Sequence, residues 1–392
     1  MKKTILISTL LIFSLSVNAQ NELDSLLTAV SINNKSIKAY NQLLAAKKTN
    51  FQTGLSLKNP TLEYDYMQGN LLSAGNQRDL TAVQSFDFPS VYLRKKQLSS
   101  LSIDKLTVLQ KDFIQELLLE TKLIYIELIF LHKSKTLLST QIKNGEKIRK
   151  SIQQKFDTGT SSILELNRAK INAVTSRKKL NDINRKIKST NQKLAFLNGG
   201  VEYKFDVFEY PTTVELGSLE NIMTKATSGD YHLQVIRQDQ LITEKQVQVN
   251  RALLMPKLEG GYRYQSILGQ SFNGFHAGIS IPLFENKNKV KAAKQHVKYY
   301  EFLAENHQVD HHIELETLYE TSTSLKENMD SYLSVFSSTQ SEDLLLQAFE
   351  VGEISSLNYF MELNYFYQAR QDYIELQKEY HISICKLLKY QL

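Results

Sequence analysis

One pair of side chains in this sequence has metal-ligand spacing: His307 and His311, one helical turn apart, with Asp310, His312 and Glu314 beside them. Two histidines at i and i+4 can chelate Zn²⁺ or Cu²⁺. The same residues also make an ordinary solvated helix face, so no metal site is assigned to them. Other signatures of chemistry are missing. The sequence holds no HExxH, GxSxG or Walker loop and no paired cysteines, so nothing positive supports an enzyme and no cofactor is expected. Cys385 is the single cysteine. It cannot close an intramolecular disulfide, and in its apolar helical setting it reads as a small buried hydrophobe.

The remaining polar residues of interest fall into two groups, and each group needs an element to position it. In the first, charge alternates with aromatic or aliphatic residues. Glu63 and Asp65 oppose Leu62, Tyr64 and Tyr66; Ser85 and Asp87 oppose Phe86 and Phe88. Further on, Glu259 and Arg263 oppose Leu258, Tyr262 and Tyr264, and His276 opposes Phe275 and Ala277. Period two is the pattern of a strand with one apolar and one polar face, so two hairpins are expected, with short loops around Gly69 to Asn76 and Gly269 to Asn273. The second group is two glycine turns, Thr158-Gly159-Thr160-Ser161-Ser162 and Val351-Gly352-Glu353-Ile354-Ser355. Each follows a long apolar-periodic run, where glycine caps a helix and serine starts the next.

These landmarks repeat. Asn59-Pro60-Thr61-Leu62 is echoed by Met255-Pro256-Lys257-Leu258 at an offset of 196, and Phe88-Pro89 by Ile281-Pro282 at 193. Phe156-Asp157-Thr158-Gly159 is echoed by Phe349-Glu350-Val351-Gly352, again at 193. Three landmarks in one order at nearly one offset imply a duplication. Each copy begins with a helix, about 22–57 and 217–254, stopped by a proline. The hairpin follows, and then a helical pattern of some 60 residues, ~90 Å at 1.5 Å per residue. A second helix returns after the glycine turn, and in the first copy it carries a heptad from Leu166 and Ala169 to Leu194 and Leu197. The expected organisation is a leader over 1–19, a first repeat over 20–200 (hairpin about 60–89, coiled coil about 90–198), a linker over 201–216, and a second repeat over 217–392 (hairpin about 256–283, coiled coil about 284–391).

Composition fixes the setting. Lys2 and Lys3 precede an apolar run from Ile5 to Val17 that ends in Val17-Asn18-Ala19, the form of a secretory signal peptide cleaved after Ala19. The run is too short to span a bilayer as a helix, no later segment approaches ~20 apolar residues, and no cysteine follows the cleavage site. Of the +6 total charge, removing Lys2 and Lys3 leaves +4. The basic runs Arg177-Lys178-Lys179 and Arg185-Lys186 could suit nucleic acid, but export puts the chain in the wrong compartment. Charge is also divided between the copies. From Glu120 to Gly199 there are 17 Lys and Arg against 6 Asp and Glu, and from Asp310 to Leu392 there are 5 against 14. Basic and acidic coils are therefore expected to alternate in an assembly.

A four-stranded sheet cannot close on itself, and long helices with narrow seams need partners; both needs are met if several chains pool strands into a barrel and helices into a cylinder. The order of helix, proline-led hairpin, long helix, Phe-x-x-Gly turn and return helix, all duplicated, resembles the TolC family of outer-membrane efflux proteins. Asn59-Pro60-Thr61-Leu62, Met255-Pro256-Lys257-Leu258, Ile281-Pro282-Leu283-Phe284 and the two glycine turns carry the likeness, which covers nearly the whole mature chain. The resemblance implies a mainly α chain with a small β part, trimerising into a 12-stranded transmembrane β-barrel plus a periplasmic α-helical barrel. It implies a passive exit duct of a tripartite efflux system, with a periplasmic adaptor, an inner-membrane pump and outer-membrane lipid as partners. The two glycine turns would be adaptor-docking tips, and Glu63, Asp65, Asp87, Glu259, Arg263 and His276 would line the barrel lumen. Cargo stays open between small molecules and metal ions; His307 and His311 lean it toward a heavy-metal type of resistance-nodulation pump. A soluble periplasmic coiled-coil scaffold or adaptor is the alternative.

Overall fold

The computed structural model describes residues 21–70, 75–205, 208–211, 216–338 and 341–392; the expected signal peptide lies outside the described residues. The fold is mainly helical with one small sheet. Its order is α1 (21–33), α2 (Lys35–Phe51), β1 (Thr61–Gln68), β2 (Asn76–Phe86), α3 (Pro89–Asp157), α4 (Ile163–Leu197), α5 (Leu219–Gly229) and α6 (Tyr231–Ala252). Then follow β3 (Lys257–Ile267), β4 (Gln270–Ser280), α7 (Lys289–Ser338), α8 (Ser341–Glu350), α9 (Ser356–Leu387) and a short 3₁₀ turn, Lys389–Gln391. Among the described residues no helix is long and apolar enough to cross a membrane.

The chain forms two compact units, and each draws on both halves of the sequence. The first holds residues up to Lys38, Phe113–Gly229 and His311–Leu392; the second holds Ala39–Asp112 and Asp230–Asp310.

The first unit is helical, with conventional cores. Leu26, Val30, Leu128, Ile129, Leu194 and Tyr210 share one cluster, and Ile152, Leu166, Phe349 and Tyr359 share another. Every residue of the expected α4 heptad, from Leu166 to Leu197, is buried or half-buried. The segment after α4 packs by ring stacking, Phe208 on His132 at 3.6 Å and Tyr210 on His381 at 4.2 Å between centroids. The helix expected over 22–57 is interrupted at Asn34, whose Oδ1 accepts from Ile37 N at 2.9 Å while its Nδ2 donates to Leu197 O at 2.7 Å. Its counterpart over 217–254 is interrupted at Asp230, the N-cap of α6, which accepts from Leu233 N. A short polar side chain that caps a new helix start is a local alternative to an unbroken helix, and both breaks use one.

The second unit carries the sheet, antiparallel throughout in the order β1-β2-β3-β4, with β1 and β4 as open edges. Leu268 and Gly269, at φ 52 and 75, form the two-residue connection of β3 to β4. Positive φ at both positions matches the twist of a tight hairpin. The expected loop Gly269 to Asn273 is thus shorter than its sequence suggested, since residues 270–273 belong to β4. β2 likewise begins at Asn76, well before the Ser85 to Phe88 segment that signalled it. Leu233, Ile236 and Ala304 form the helical core of this unit.

Candidate functional site

Residues opposite each other in a ladder share a face, so the register sorts the sheet's side chains. Leu62, Ala82, Tyr262 and Phe275 are opposed in one row, and Tyr64, Leu80 and Tyr264 in the next. The other face carries the rows Glu63, Thr81, Arg263 and Asp65, Asp79, Gln265, together with Glu259 and His276. The structure therefore brings five of the six expected lumen residues onto one face: Glu63, Asp65, Glu259, Arg263 and His276. Every charged residue of the four strands lies there except Arg78, near the start of β2 and level with Tyr66.

Burial is inverted along β2, while both faces of β1 and β4 are exposed. Along β2 the polar-face residues Gln77, Asp79, Thr81, Val83 and Ser85 are buried or half-buried, whereas Arg78, Leu80 and Ala82 on the apolar face are exposed. Phe275 is 95% exposed, and Leu62, Tyr64 and Ile279 are also open to the outside. Asp79 is only 3% exposed. Arg263 Nη2 donates to its Oδ2 at 3.0 Å, and Gln77 Nε2 donates to the same carboxylate at 3.1 Å. A buried carboxylate persists only when paired and hydrogen-bonded, and here the partners come from the neighbouring strand and two residues along the same one. Asp79 lies outside the Ser85 to Phe88 segment whose alternation signalled β2; the alternation Asp79, Thr81, Val83 against Leu80, Ala82 was the signal available.

Asp87 departs from expectation. It follows the end of β2 and is buried at the entry to α3, where Lys95 Nζ donates to its Oδ2 at 3.2 Å and its backbone N–H donates to Tyr92 Oη. Pro89 starts the helix two residues later, which turns Asp87 from a strand side chain into a junction anchor.

Both glycine turns have the same construction. Gly159 and Gly352 sit at φ 77 and 84, where a side chain would be strained. Backbone N–H groups of Thr160 and Ser161 close onto Lys155 O, and those of Glu353 and Ile354 onto Ala348 O. Ser162 and Glu165 form a capping box for α4, and Ser355 caps α9 by accepting from Asn358 N. The two turns come together: Phe156, Phe349 and Ile354 belong to one cluster, and Lys155 Nζ lies 4.6 Å from the Phe349 ring centroid. Thr158, Gly159 and Thr160 are exposed on one turn, as are Val351, Gly352 and Glu353 on the other.

The histidine pair is engaged elsewhere. His307 Nε2 lies 2.8 Å from Asp230 Oδ2, and the buried His311 ring meets Tyr390 edge-on at 4.6 Å. Among the described residues no group of three or more His, Cys, Asp or Glu is placed to hold a metal. Cys385 is half-buried, and burial pushes its thiol pKa up, which disfavours the reactive thiolate.

No family model and no curated protein matches the sequence. Solved structures do. CusC, described for folding and transmembrane channel formation, superposes at a TM-score of 0.78 with 14% identity, covering 94% of this chain and 92% of its own. VceC, an outer membrane protein of Vibrio cholerae, gives 0.76 at 13% identity over 96% and 97%. The open state of the Neisseria gonorrhoeae outer membrane channel MtrE gives 0.74 at 12% identity over 94% and 88%. At such identities the likeness speaks for architecture, and along nearly its whole length this chain has the fold of these outer-membrane channel proteins.

Proposed function

We propose that this chain is the outer-membrane channel subunit of a tripartite efflux system, working as a non-catalytic duct built from three copies. The observation that carries the reading is the sheet: four open-edged strands with their aromatic and aliphatic face exposed and their charges gathered opposite. Water penalises that arrangement, while a bilayer rewards it, provided every strand edge is paired. Pairing β4 of one copy with β1 of the next satisfies both edges, and three copies give twelve strands. Glu63, Asp65, Asp79, Glu259, Arg263 and His276 then line the water-filled interior, and the exposed turns at 158–162 and 351–355 offer an adaptor its docking surface. Cargo selection belongs to the pump, for metal ions or for other small molecules, because the duct is traversed rather than matched to a ligand.

Fractionation tests this. The mature protein is expected in the outer membrane, released only by detergent and as a homotrimer. Recovery of a monomer from a detergent-free periplasmic extract would overturn the channel and favour a soluble scaffold.

A further inference from the structure

The two ends of the sheet differ in charge. All four strands meet the helices at one end, at Thr61, Phe86, Lys257 and Ser280, and pair off as hairpins at the other. On the hairpin side, 67–78 and 266–274 hold a single charge, Arg78. On the helix side, 45–60, 87–98, 245–257 and 281–298 together hold 14 Lys and Arg against 2 Asp and Glu. Both acids are already engaged, Asp87 by Lys95 and Glu285 by Lys257. The other cations of these segments make no ion pair among the described residues, so the helix-side rim carries a large uncompensated positive charge.

Hydrogen bonds draw these segments together. Gln84 Nε2 of β2 donates to Lys58 O at 2.8 Å, Asn286 Nδ2 to Leu253 O at 2.6 Å and Asn250 Nδ2 to Lys289 O at 3.1 Å. Lys58, Lys257 and Lys289 converge on the Glu285 carboxyl, which is held below the usual carboxylate range by the hydrogen bond and charge of Lys257 and then by the charges of Lys289 and Lys58. One carboxylate among three ammonium groups leaves an excess of positive charge at one spot, and Lys287 is exposed on the same turn. Beside these cations Leu283 and Phe284 are 73% and 83% exposed, close after the exposed Ile279 of β4. Aliphatic and aromatic side chains next to a lysine cluster suit a membrane interface, where apolar burial and attraction to anionic headgroups add. A second copy is the weaker occupant: joining β4 of one chain to β1 of the next sets this rim beside its own equivalent, which adds lysines and not acids.

We infer that the helix-side rim of the sheet binds an anionic phospholipid of the leaflet at that level, with Lys58, Lys287 and Lys289 around its phosphate and Leu283 and Phe284 against its acyl chains. The inference rests on the channel reading and adds to it a lipid class and an orientation. The leaflet on the helical side supplies the anions, and the nearly uncharged hairpin rim meets the opposite leaflet. Attraction of this kind fades within a Debye length, so only lysines at headgroup level contribute.

Lipid retention by detergent-solubilised trimers tests it, read by native mass spectrometry with dioleoyl phosphatidylglycerol and dioleoyl phosphatidylethanolamine, which share their acyl chains. The unmodified protein is expected to hold the phosphatidylglycerol about tenfold more tightly. Lys58→Gln, Lys287→Gln and Lys289→Gln together should abolish that preference, whereas arginine at the same three positions should keep it. Lys178→Gln, Lys179→Gln and Lys186→Gln on α4, an equal loss of charge, should leave it intact. Should the first triple variant yield no trimers, Lys287→Gln alone, on an exposed side chain, is expected to weaken retention severalfold. Equal retention of both lipids by unmodified trimers, no response to the rim variants, or an equal response to the α4 set overturns the inference and leaves the channel reading standing. Displacement of the bound phosphatidylglycerol by inorganic phosphate would show a phosphate site without lipid contacts and overturn it likewise. An unmodified chain recovered as a soluble monomer overturns both readings.

Discussion

In the helical unit Leu128, Ile129 and Leu131 lie inside while Lys178, Lys186 and Lys188 lie outside; in the sheet Leu62, Phe275 and Ile279 lie outside while Asp79 lies inside. One chain thus carries two opposite burial rules. Removing an aliphatic or aromatic side chain from water is worth ~1.5 to 3 kcal/mol, so a sheet that leaves a whole face of them exposed forgoes that gain unless its surroundings are themselves apolar. On the proposed channel reading the helical unit is made for water and the sheet for lipid, and the difference teaches that the surrounding solvent can be read from which side chains an element leaves open.

Arginine scanning of the sheet breaks or confirms the contrast with the largest effect. Tyr64→Arg or Ile279→Arg should block membrane insertion, at ~2 to 4 kcal/mol per site near mid-depth. Glu63→Arg or Ser280→Arg, one residue away, should insert normally and alter conductance only. Equal tolerance of both pairs, measured as detergent-extractable trimer in the outer membrane, would remove the lipid-facing assignment.

A second test sharpens the other side of the comparison, since the helical core should respond to acid as water-soluble proteins do. His381 is half-buried and stacked on Tyr210, and desolvation, helped by Lys133, pulls its pKa down to about 3. An unfolded histidine titrates near ~6.5. The neutral ring therefore contributes stability that is full above that value and is lost as pH falls toward the folded one. Between pH 7 and pH 5 the loss is ~2 kcal/mol, read as a falling melting temperature of the helical signal in detergent. His381→Phe keeps the ring stack and should flatten this dependence; an equally steep fall in that variant would assign the acid response to other groups.

The glycine turns give the smallest change in stability per site. Replacing Gly159 and Gly352 together by Val puts two branched side chains at positive φ, at ~1 to 2 kcal/mol each. Trimers should persist in the outer membrane while efflux is lost. Full efflux by the double variant would show that the paired turns have no docking role.

Much of this was legible in the residues. Alternation in Leu62-Glu63-Tyr64-Asp65 named the faces of β1 before any register was known, because a period of two leaves no other grouping. The Phe-x-x-Gly pairs located both turns, since glycine followed by serine is a chemical instruction for ending one helix and starting the next. Other features depend on tertiary contacts. Asn34 and Asp230 interrupt helices whose propensity is otherwise unbroken; what fixes the break at Asn34 is a hydrogen bond to Leu197, 163 residues away in sequence. Asp79 lies outside the expected strand segment and is held by Arg263 of the next strand, and Asp87 reads as strand by its alternation but is held by Lys95 at the start of a helix. Pairing of the two turns through Phe156 and Phe349 also had no local signal, because each aromatic fits a helix end equally well alone.

The central claim, that the charges of the sheet gather on one face because the other meets lipid, is tested most directly by quenching. Fluorophores attached to cysteines at Leu62, Ile279, Glu63 or Ser280, in a Cys385→Ser background, are read in trimers reconstituted into bilayers whose acyl chains carry bromine. The account predicts strong quenching at 62 and 279 and little at 63 and 280. Equal quenching at all four, or none at 62 and 279, would contradict it.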